Sequence, residues 1–349
     1  MLSITFADLR YRYRQFLIAV VGAGVVLAMA VLLSGLAEGF RSEIHSTVGA
    51  VGADRWLLSE KSNGRITAVA TFDDSTVAQV AATPGVTAAS GLVFLPSEVV
   101  QFGSRQVTAN VMGVGSRALG APSAVHGHGL ANVGDMVVDV RAHIGVGSTV
   151  QLGSTRFHVV GTVRNRTLSA GIPMAYILLL DAQNALFGGQ HVVTAVVTRG
   201  TPQSVPPGLA SLTPAQIETS TLRTLASGVA SIKNSRTLMW VVAAIIVAAL
   251  IYVSALQRVR DFAVLKALGS SSASLFASLC MQAVAITLLA AAFGLALSTV
   301  MTGIFSQPVT VPASAYYSLP VVAVAVGVLA SLVALRRATG ADPVAAFGG

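Results

Sequence analysis

The chain has 349 residues, 54% of them apolar and only 10% charged, with a mean hydropathy of +0.74 and a formal net charge of +8. That composition excludes an ordinary soluble two-domain protein and indicates a membrane protein. The positive balance does not point to nucleic acid: the cations outside the middle of the chain (Arg10, Arg12, Arg14, Arg258, Arg260, Lys266, Arg336, Arg337) flank apolar runs and form no basic stripe interleaved with aromatics.

Residues 1–15 read as a cytoplasmic amphipathic segment, basic around 6–14. The apolar run at 16–40 follows. Its uncharged core of about 22 residues exceeds the 7 to 15 of a signal peptide, so a retained first membrane helix is expected rather than a cleaved leader.

Residues 41–236 hold most of the Asp and Glu and the turn residues of a folded domain. Alternating or continuous β-branched runs at 97–102, 106–111, 136–140, 156–163 and 191–198 predict short strands. A helix is expected at 75–82, stopped by Pro84 and Gly85, with the Asp73-Asp74 pair as N-cap and dipole partner. A long helix over 213–233 should lead into the second span, and the Gly200 to Pro207 stretch is a loop.

Further uncharged runs at 237–256, 275–305 and 319–335 each approach or exceed the ~20 residues of a membrane helix. The third is longer than one crossing needs and is expected to tilt or extend past the bilayer. Pro320 suits the first turn of the fourth, with Tyr316 and Tyr317 at the interface. Between the second and third spans, 257–274 carries Arg258, Arg260 and Lys266, while the outer loop at 306–318 carries no Lys or Arg. The positive-inside rule therefore makes both termini cytoplasmic, the second one in the tail 336–349. The expected fold is an α-helical integral membrane protein with four transmembrane helices plus an α+β extracytoplasmic domain inserted between helices 1 and 2.

The interiors of these spans contain no Asp, Glu, Lys, Arg or His, which argues against a proton- or sodium-coupled transporter. Gln282 reads as an interhelical hydrogen-bond donor. Gly294 and Ser298, and Ala323, Gly327 and Ser331, read as helix-packing residues, against a helix of this chain or of another subunit. No P-loop exists, since Lys61, Lys233 and Lys266 follow Glu, Ile and Leu. Cys280 is the single cysteine, so neither an internal disulfide nor a thiolate cluster can form. His126 and His128 lie in a Gly-rich loop without zinc-ligand spacing, and no GxSxG elbow occurs. No catalytic, metal-binding or cofactor-binding residue is expected.

The segment after the second span, RVRDFAVLKALGSSSASL, and the ending ADPVAAF resemble the FtsX-like, MacB-type ABC transporter permeases. That family commonly carries Glu-Arg-Arg-Arg-Glu-Ile-Gly-Val-Leu-Arg-Ala-Leu-Gly here. Arg258, Arg260, Val264, Leu265, Ala267, Leu268 and Gly269 match it, Asp261 and Lys266 keep charge, Phe262 stays apolar, and Gln257 and Val259 depart. In the insert, Gly52 to Ser59, Thr83 to Val86, Val137 to Asp139, Gly145 to Val150 and Phe157 to Val163 look like the MacB-type periplasmic core.

The resemblance implies a permease subunit in a bacterial plasma membrane, paired with a second copy and driven by a separate ATPase that binds the ATP. The coupling contact would comprise Arg258, Arg260, Asp261, Phe262, Leu265, Lys266, Leu268 and Gly269. Mechanical transmission to the outer domain would serve export or extrusion of a lipid, peptide or hydrophobic compound. Two alternatives stay open: an FtsX-like regulator of a cell-wall hydrolase or of envelope-stress signalling, with an envelope protein as partner, and uptake of a small solute such as an amino acid. Membrane lipids are the remaining expected partner.

Overall fold

The computed structural model describes residues 13–224, 226–257, 272–302 and 313–338. The chain divides into two compact units, Gly39–Ser227 on the one hand and Met1–Glu38 with Gly228–Gly349 on the other. In chain order the helices are α1 (Tyr13–Ala50), α2 (Ser75–Ala81), α3 (Leu179–Phe187), α4 (Pro214–Thr224), α5 (Ala226–Leu256), α6 (Ser272–Met301) and α7 (Ala313–Ala338). The strands are β1 (Arg55–Ser59), β2 (Phe72–Asp73), β3 (Val86–Phe102), β4 (Arg105–Val114), β5 (His126–Gly127), β6 (Asp135–Asp139), β7 (Thr149–Leu152), β8 (Thr155–Val163), β9 (Thr167–Leu168), β10 (Ile172–Leu178), β11 (Val192–Val193), β12 (Ala195–Gly200) and β13 (Leu209–Leu212).

In the helical unit, stretches of α1, α5 and α6 (Phe16–Ala50, Gly228–Ala249 and Cys280–Met301) are long and apolar enough to cross a membrane, and Ala313–Leu329 of α7 is a shorter apolar stretch. A helix satisfies every backbone donor and acceptor internally, which hydrocarbon demands. The core where these helices meet is rich in alanine: Ala23, Ala243, Ala283, Ala290, Ala291, Ala315 and Ala323, with Leu27, Val31, Val247 and Ile286 between them. Larger side chains such as Leu238, Ile245, Val300 and Val321 point outward, each more than half exposed. Because α7 begins at Ala313, Pro320 lies inside it and not in its first turn, and Tyr316 and Tyr317 are helical. The ring costs a backbone bond. Burial of Ala315, Leu319 and Ala323 on the flanking turns carries the helix through it.

The other unit is built on an 11-stranded mixed sheet in the order β13-β1-β12-β3-β4-β10-β6-β8-β5, with β7 bridging β3 and β8, and β9 on β10. The pairs β4–β10 and β6–β8 are parallel, and the other neighbours run antiparallel. Successive residues alternate between two cores. Trp56, Leu58, Phe94, Met112, Val137, Met174 and Tyr176 face the cluster that also takes Ile44, Val48 and Val51 from the end of α1. Val93, Val111, Met136, Val138, Ala175 and Ile177 face the opposite one, on which α3 packs through Ala182. Both faces being covered explains why the strands read as unbroken apolar runs.

β3 bends. Its register against β4 slips between Leu95 and Glu98, a bulge in which Pro96 and Ser97 oppose Asn110 and Ser97 adopts φ +59°. The first half of β3 then pairs with β12 and its far end with β7. The strand expected at 191–198 is two, β11 and β12. Thr194 separates them because its hydroxyl accepts the Phe94 amide at 2.8 Å and its own amide bonds the Leu92 carbonyl. The helix expected over 213–233 is described as α4 up to Thr224 and as α5 from Ala226, residue 225 lying outside the described residues. Its start is a capping box, in which Gln216 Oε1 accepts the Thr213 amide at 2.8 Å and Thr213 Oγ1 accepts the Gln216 amide at 3.2 Å.

The capping role expected of the Asp73-Asp74 pair falls to Asp73 alone. Its carboxylate accepts the Ser75 amide at 2.9 Å, and the hydrogen bonds from Ser75 hold its carboxyl below the usual range. Asp74 stands at the N-cap position without a capping bond. It accepts from Gln183 Nε2 at 3.2 Å and faces His191 Nδ1 at 3.3 Å.

Candidate functional site

The segment expected to meet an ATPase begins where the described part of α5 stops. α5 ends at Leu256, and the Gln257 amide still bonds the Val253 carbonyl at 3.1 Å. Arg258, Arg260, Asp261, Phe262, Leu265, Lys266, Leu268 and Gly269 all lie outside the described residues, as do residues 1–12 and the 339–349 tail. The chain is described again from Ser272, the start of α6.

Within the helical unit the small residues mark where backbones touch. A Cβ placed on Gly294 of α6 would lie 2.9 Å from the Gly24 carbonyl of α1 and 3.2 Å from the Ala28 nitrogen. One on Gly24 would lie 2.6 Å from Phe293 Cδ1. Gly327 of α7 approaches α6 in the same way, with Thr287 Oγ1 at 3.0 Å and Val284 Cα at 3.1 Å. Ala323 and Ser298 are buried, and the side chain of Ser331 is not among those described. The interhelical hydrogen bond expected of Gln282 is not formed among the described residues. The side chain is buried, yet its Nε2 has no partner among the described residues. Two other hydroxyls of α6 are satisfied within the helix, Thr287 Oγ1 donating to the Ala283 carbonyl and Ser298 Oγ to the Leu295 carbonyl.

In the mixed-sheet unit the last turns of α1 are held by a polar grip. Glu43, only 4% exposed, accepts Thr167 Oγ1 at 2.6 Å, the Gly171 amide at 2.7 Å and the Ala170 amide at 3.2 Å. Ser169, Ala170 and Gly171 all have positive φ, and this left-handed run turns successive N–H groups toward one carboxylate, an anion-binding concavity. One turn further along α1, Thr47 Oγ1 donates to the Thr167 carbonyl at 3.0 Å and Ser46 Oγ to the Asn165 carbonyl at 3.2 Å. Arg166 Nη1 returns a bond to the Ser46 carbonyl at 3.2 Å, and its amide is accepted by Asp139 at 2.7 Å. Burial raises the Asp139 carboxyl against the opposing pull of the Arg141 and Arg166 amides and guanidinium groups.

The same turn is gripped from the sheet side. Asn110, fully buried in β4, donates Nδ2 to the Leu168 carbonyl at 3.0 Å and the Ile172 carbonyl at 3.3 Å, and its Oδ1 accepts the Ser97 amide at the bulge of β3. His45 Nδ1 meets Glu218 Oε1 at 3.0 Å, tying α1 to α4. A displacement of the end of α1 would thus act on the β9–β10 turn, on the bulge of β3 and on α4.

Among the described residues no group of three or more His, Cys, Asp or Glu is placed to hold an ion, and His126 stands exposed in the two-residue β5.

Residues 237–343 match the family model described as FtsX-like permease C-terminal. A protein of Mycobacterium tuberculosis strain H37Rv named an uncharacterised ABC transporter permease is 35% identical over 350 residues, covering all of both chains. The chain belongs to the FtsX-like ABC transporter permeases. A second protein of that strain with the same description is 34% identical over 349 residues, again across the full length of both, and a Mycobacterium bovis relative is 35% identical. The permease is also similar to the periplasmic region of MacB from Actinobacillus actinomycetemcomitans (14% identity, TM-score 0.37, 51% of this chain and 96% of that one). For the extracellular domain of the noncanonic ABC-type transporter YknZ from Gram-positive bacteria the values are 13%, 0.32, 50% and 92%.

The family match spans the whole segment from the second apolar run to the tail, so it includes the residues read as the coupling contact. Sequence reasoning passed over the permease's Glu43 grip. The signal available was only for the helix that carries it: the spacing of Ile44 and Val48 continues the helical stripe past the charges that close the apolar run.

Proposed function

We propose that this permease is the transmembrane subunit of an ABC system powered by a separate ATPase, and that it works by mechanical transmission to its extracytoplasmic domain. α1, α5, α6 and α7 are its four spans, both termini are cytoplasmic in a bacterial inner membrane, and two copies act together. ATP is bound by the partner subunit, and this chain has no cofactor and no catalytic residue. The 257–274 segment receives the ATPase, and the work serves export or extrusion of a lipid, peptide or hydrophobic compound.

The observation that carries this reading is α1 itself. It is one unbroken helix of 38 residues that starts in an apolar run and ends in the grip of Glu43, Ser46 and Thr47 on the β9–β10 turn. A rod of that kind passes axial or rotational movement along its length, whereas a flexible linker would dissipate it. The uncharged span interiors supply no polar path for a hydrophilic solute.

The decisive experiment is the triple variant Arg258→Glu, Arg260→Glu, Lys266→Glu, purified with its cognate ATPase. Co-purification and permease-dependent ATP hydrolysis are expected to be lost while the permease still inserts. Normal assembly and normal coupled hydrolysis in the triple variant would overturn the reading.

A further inference from the structure

At the end of α1 the mixed-sheet unit carries an open cleft of about 130 Å³, lined by Ala50, Val51, the Gly120 to Ser123 loop, Val125, Val163, Arg164, Arg166 and Tyr176. That is several times the roughly 10–15 Å³ a cavity needs to hold one water. A compact polyatomic ion fits it.

Two guanidinium groups line this cleft and no carboxylate does. The acidic side chains of the adjoining network are already engaged: Glu43 by Thr167, Ala170 and Gly171, and Asp139 by the Arg141 and Arg166 amides. Arg166 uses Nη1 to cap the Ser46 carbonyl near the C-terminal end of α1, a role that accounts for one of its five N–H donors and leaves the rest. Arg164, two residues earlier, makes no hydrogen bond or ion pair among the described residues. Tyr176, from β10, also lines the cleft; it is buried to 3% exposure, and that burial drives its hydroxyl far above its ordinary value, so it stays a donor at every physiological pH. Ser123 adds a hydroxyl from a third segment.

We propose that this cleft is a binding site for a phosphoryl group, held by the Arg164 and Arg166 guanidinium forks with the hydroxyls of Tyr176 and Ser123 completing its shell. Guanidinium forks match phosphate oxygens in geometry and charge. Donors arriving from three separate chain segments suit a tetrahedral oxyanion better than a planar carboxylate, which presents its acceptors in one plane. The group is either free inorganic phosphate or the phosphodiester of a net-anionic lipid headgroup, because a zwitterionic headgroup would set its own cation against the two guanidinium groups. The site is independent of the ATPase reading, and either can fail alone.

The test uses the full chain in non-ionic detergent, with thermal unfolding followed against inorganic phosphate in one arm and short-chain phosphatidylglycerol in the other, and short-chain phosphatidylcholine for comparison. Saturable, salt-sensitive stabilisation by at least one of the first two is expected. Stabilisation by phosphate identifies a free anion, and stabilisation by the glycerol lipid alone identifies an anionic headgroup. Arg164→Ala, at an exposed position where folding tolerates the change, should weaken binding about tenfold, while Arg156→Ala on β8 leaves it unchanged. Tyr176→Phe, which keeps the ring in the core, should weaken it several-fold. No saturable effect from either phosphoryl probe, equal losses in the Arg164 and Arg156 variants, or equal stabilisation by phosphatidylcholine would overturn the proposal.

Discussion

The Glu43 carboxylate accepts the Gly171 amide at 2.7 Å, joining the final turns of α1 to the turn between β9 and β10. Replacing Glu43 by alanine strands three donors, two of them backbone amides in a left-handed turn. A loss of roughly 1–3 kcal/mol in the stability of the mixed-sheet unit is expected. Hydrogen exchange should accelerate at Ala170 and Gly171, and Glu43→Gln, which keeps one acceptor oxygen, should lose less. Unchanged exchange at both amides would show that the grip contributes nothing.

Asn110 holds the other side of that turn and the bulge of β3 through three hydrogen bonds. Asn110→Ala removes them from a fully buried site, and a cost of about 2–3 kcal/mol is expected. The local signature is faster exchange at the Ser97 amide, read in the same experiment.

Among the glycines of the helical unit, position decides tolerance. Gly294→Ala puts a methyl 2.9 Å from the Gly24 carbonyl, backbone that cannot step aside, whereas Gly22→Ala meets nothing within 4 Å. The first should destabilise the unit by about 1–3 kcal/mol and the second leave it unaffected or slightly firmer. Thermal unfolding of the two variants in detergent separates them.

Acid should stabilise the buried Asp139 region. Its carboxyl is raised above the ordinary 3.8 chiefly by burial, so the folded chain binds its proton more readily than the unfolded chain does. Stability from this group is complete below pH 3.8 and declines as pH rises through the raised value. Asp181, raised for the same reason, has the same sign. Unfolding free energy measured from pH 4 upward should therefore fall less steeply in Asp139→Asn than in the parent, with Asp181 retaining part of the slope.

The strands were legible where both faces of the sheet are covered, because Val137, Val138, Val159 and their neighbours form continuous apolar stretches. The break at Thr194 was not, since a side-chain hydroxyl that replaces a ladder partner leaves no mark in hydropathy. The extension of α1 to Ala50 was hidden by Arg41, Glu43 and His45, charges that close an apolar run without ending the helix beneath them. The grip itself was illegible: Ser169 and Ala170 adopt positive φ with none of the Gly or Asn chemistry that announces it, and the turn is accounted for by Glu43, which accepts the Ala170 and Gly171 amides. Pro320 misled for a related reason, because burial of the turns on either side outweighs one missing bond.

The alanine seam among α1, α5, α6 and α7 has a consequence for how these helices can move. Where leucines interdigitate, one helix can shift past another only if side chains leave their holes together, so movement comes in jumps of a whole turn. Ala23, Ala290, Ala291 and Ala323, with Gly24 against Gly294, offer neither tall knobs nor rotamers to rearrange. Along those residues small graded displacements of one helix against its neighbour would meet fewer interlocked side chains than a leucine seam presents, with Leu27, Val31 and Ile286 the ones that still interlock.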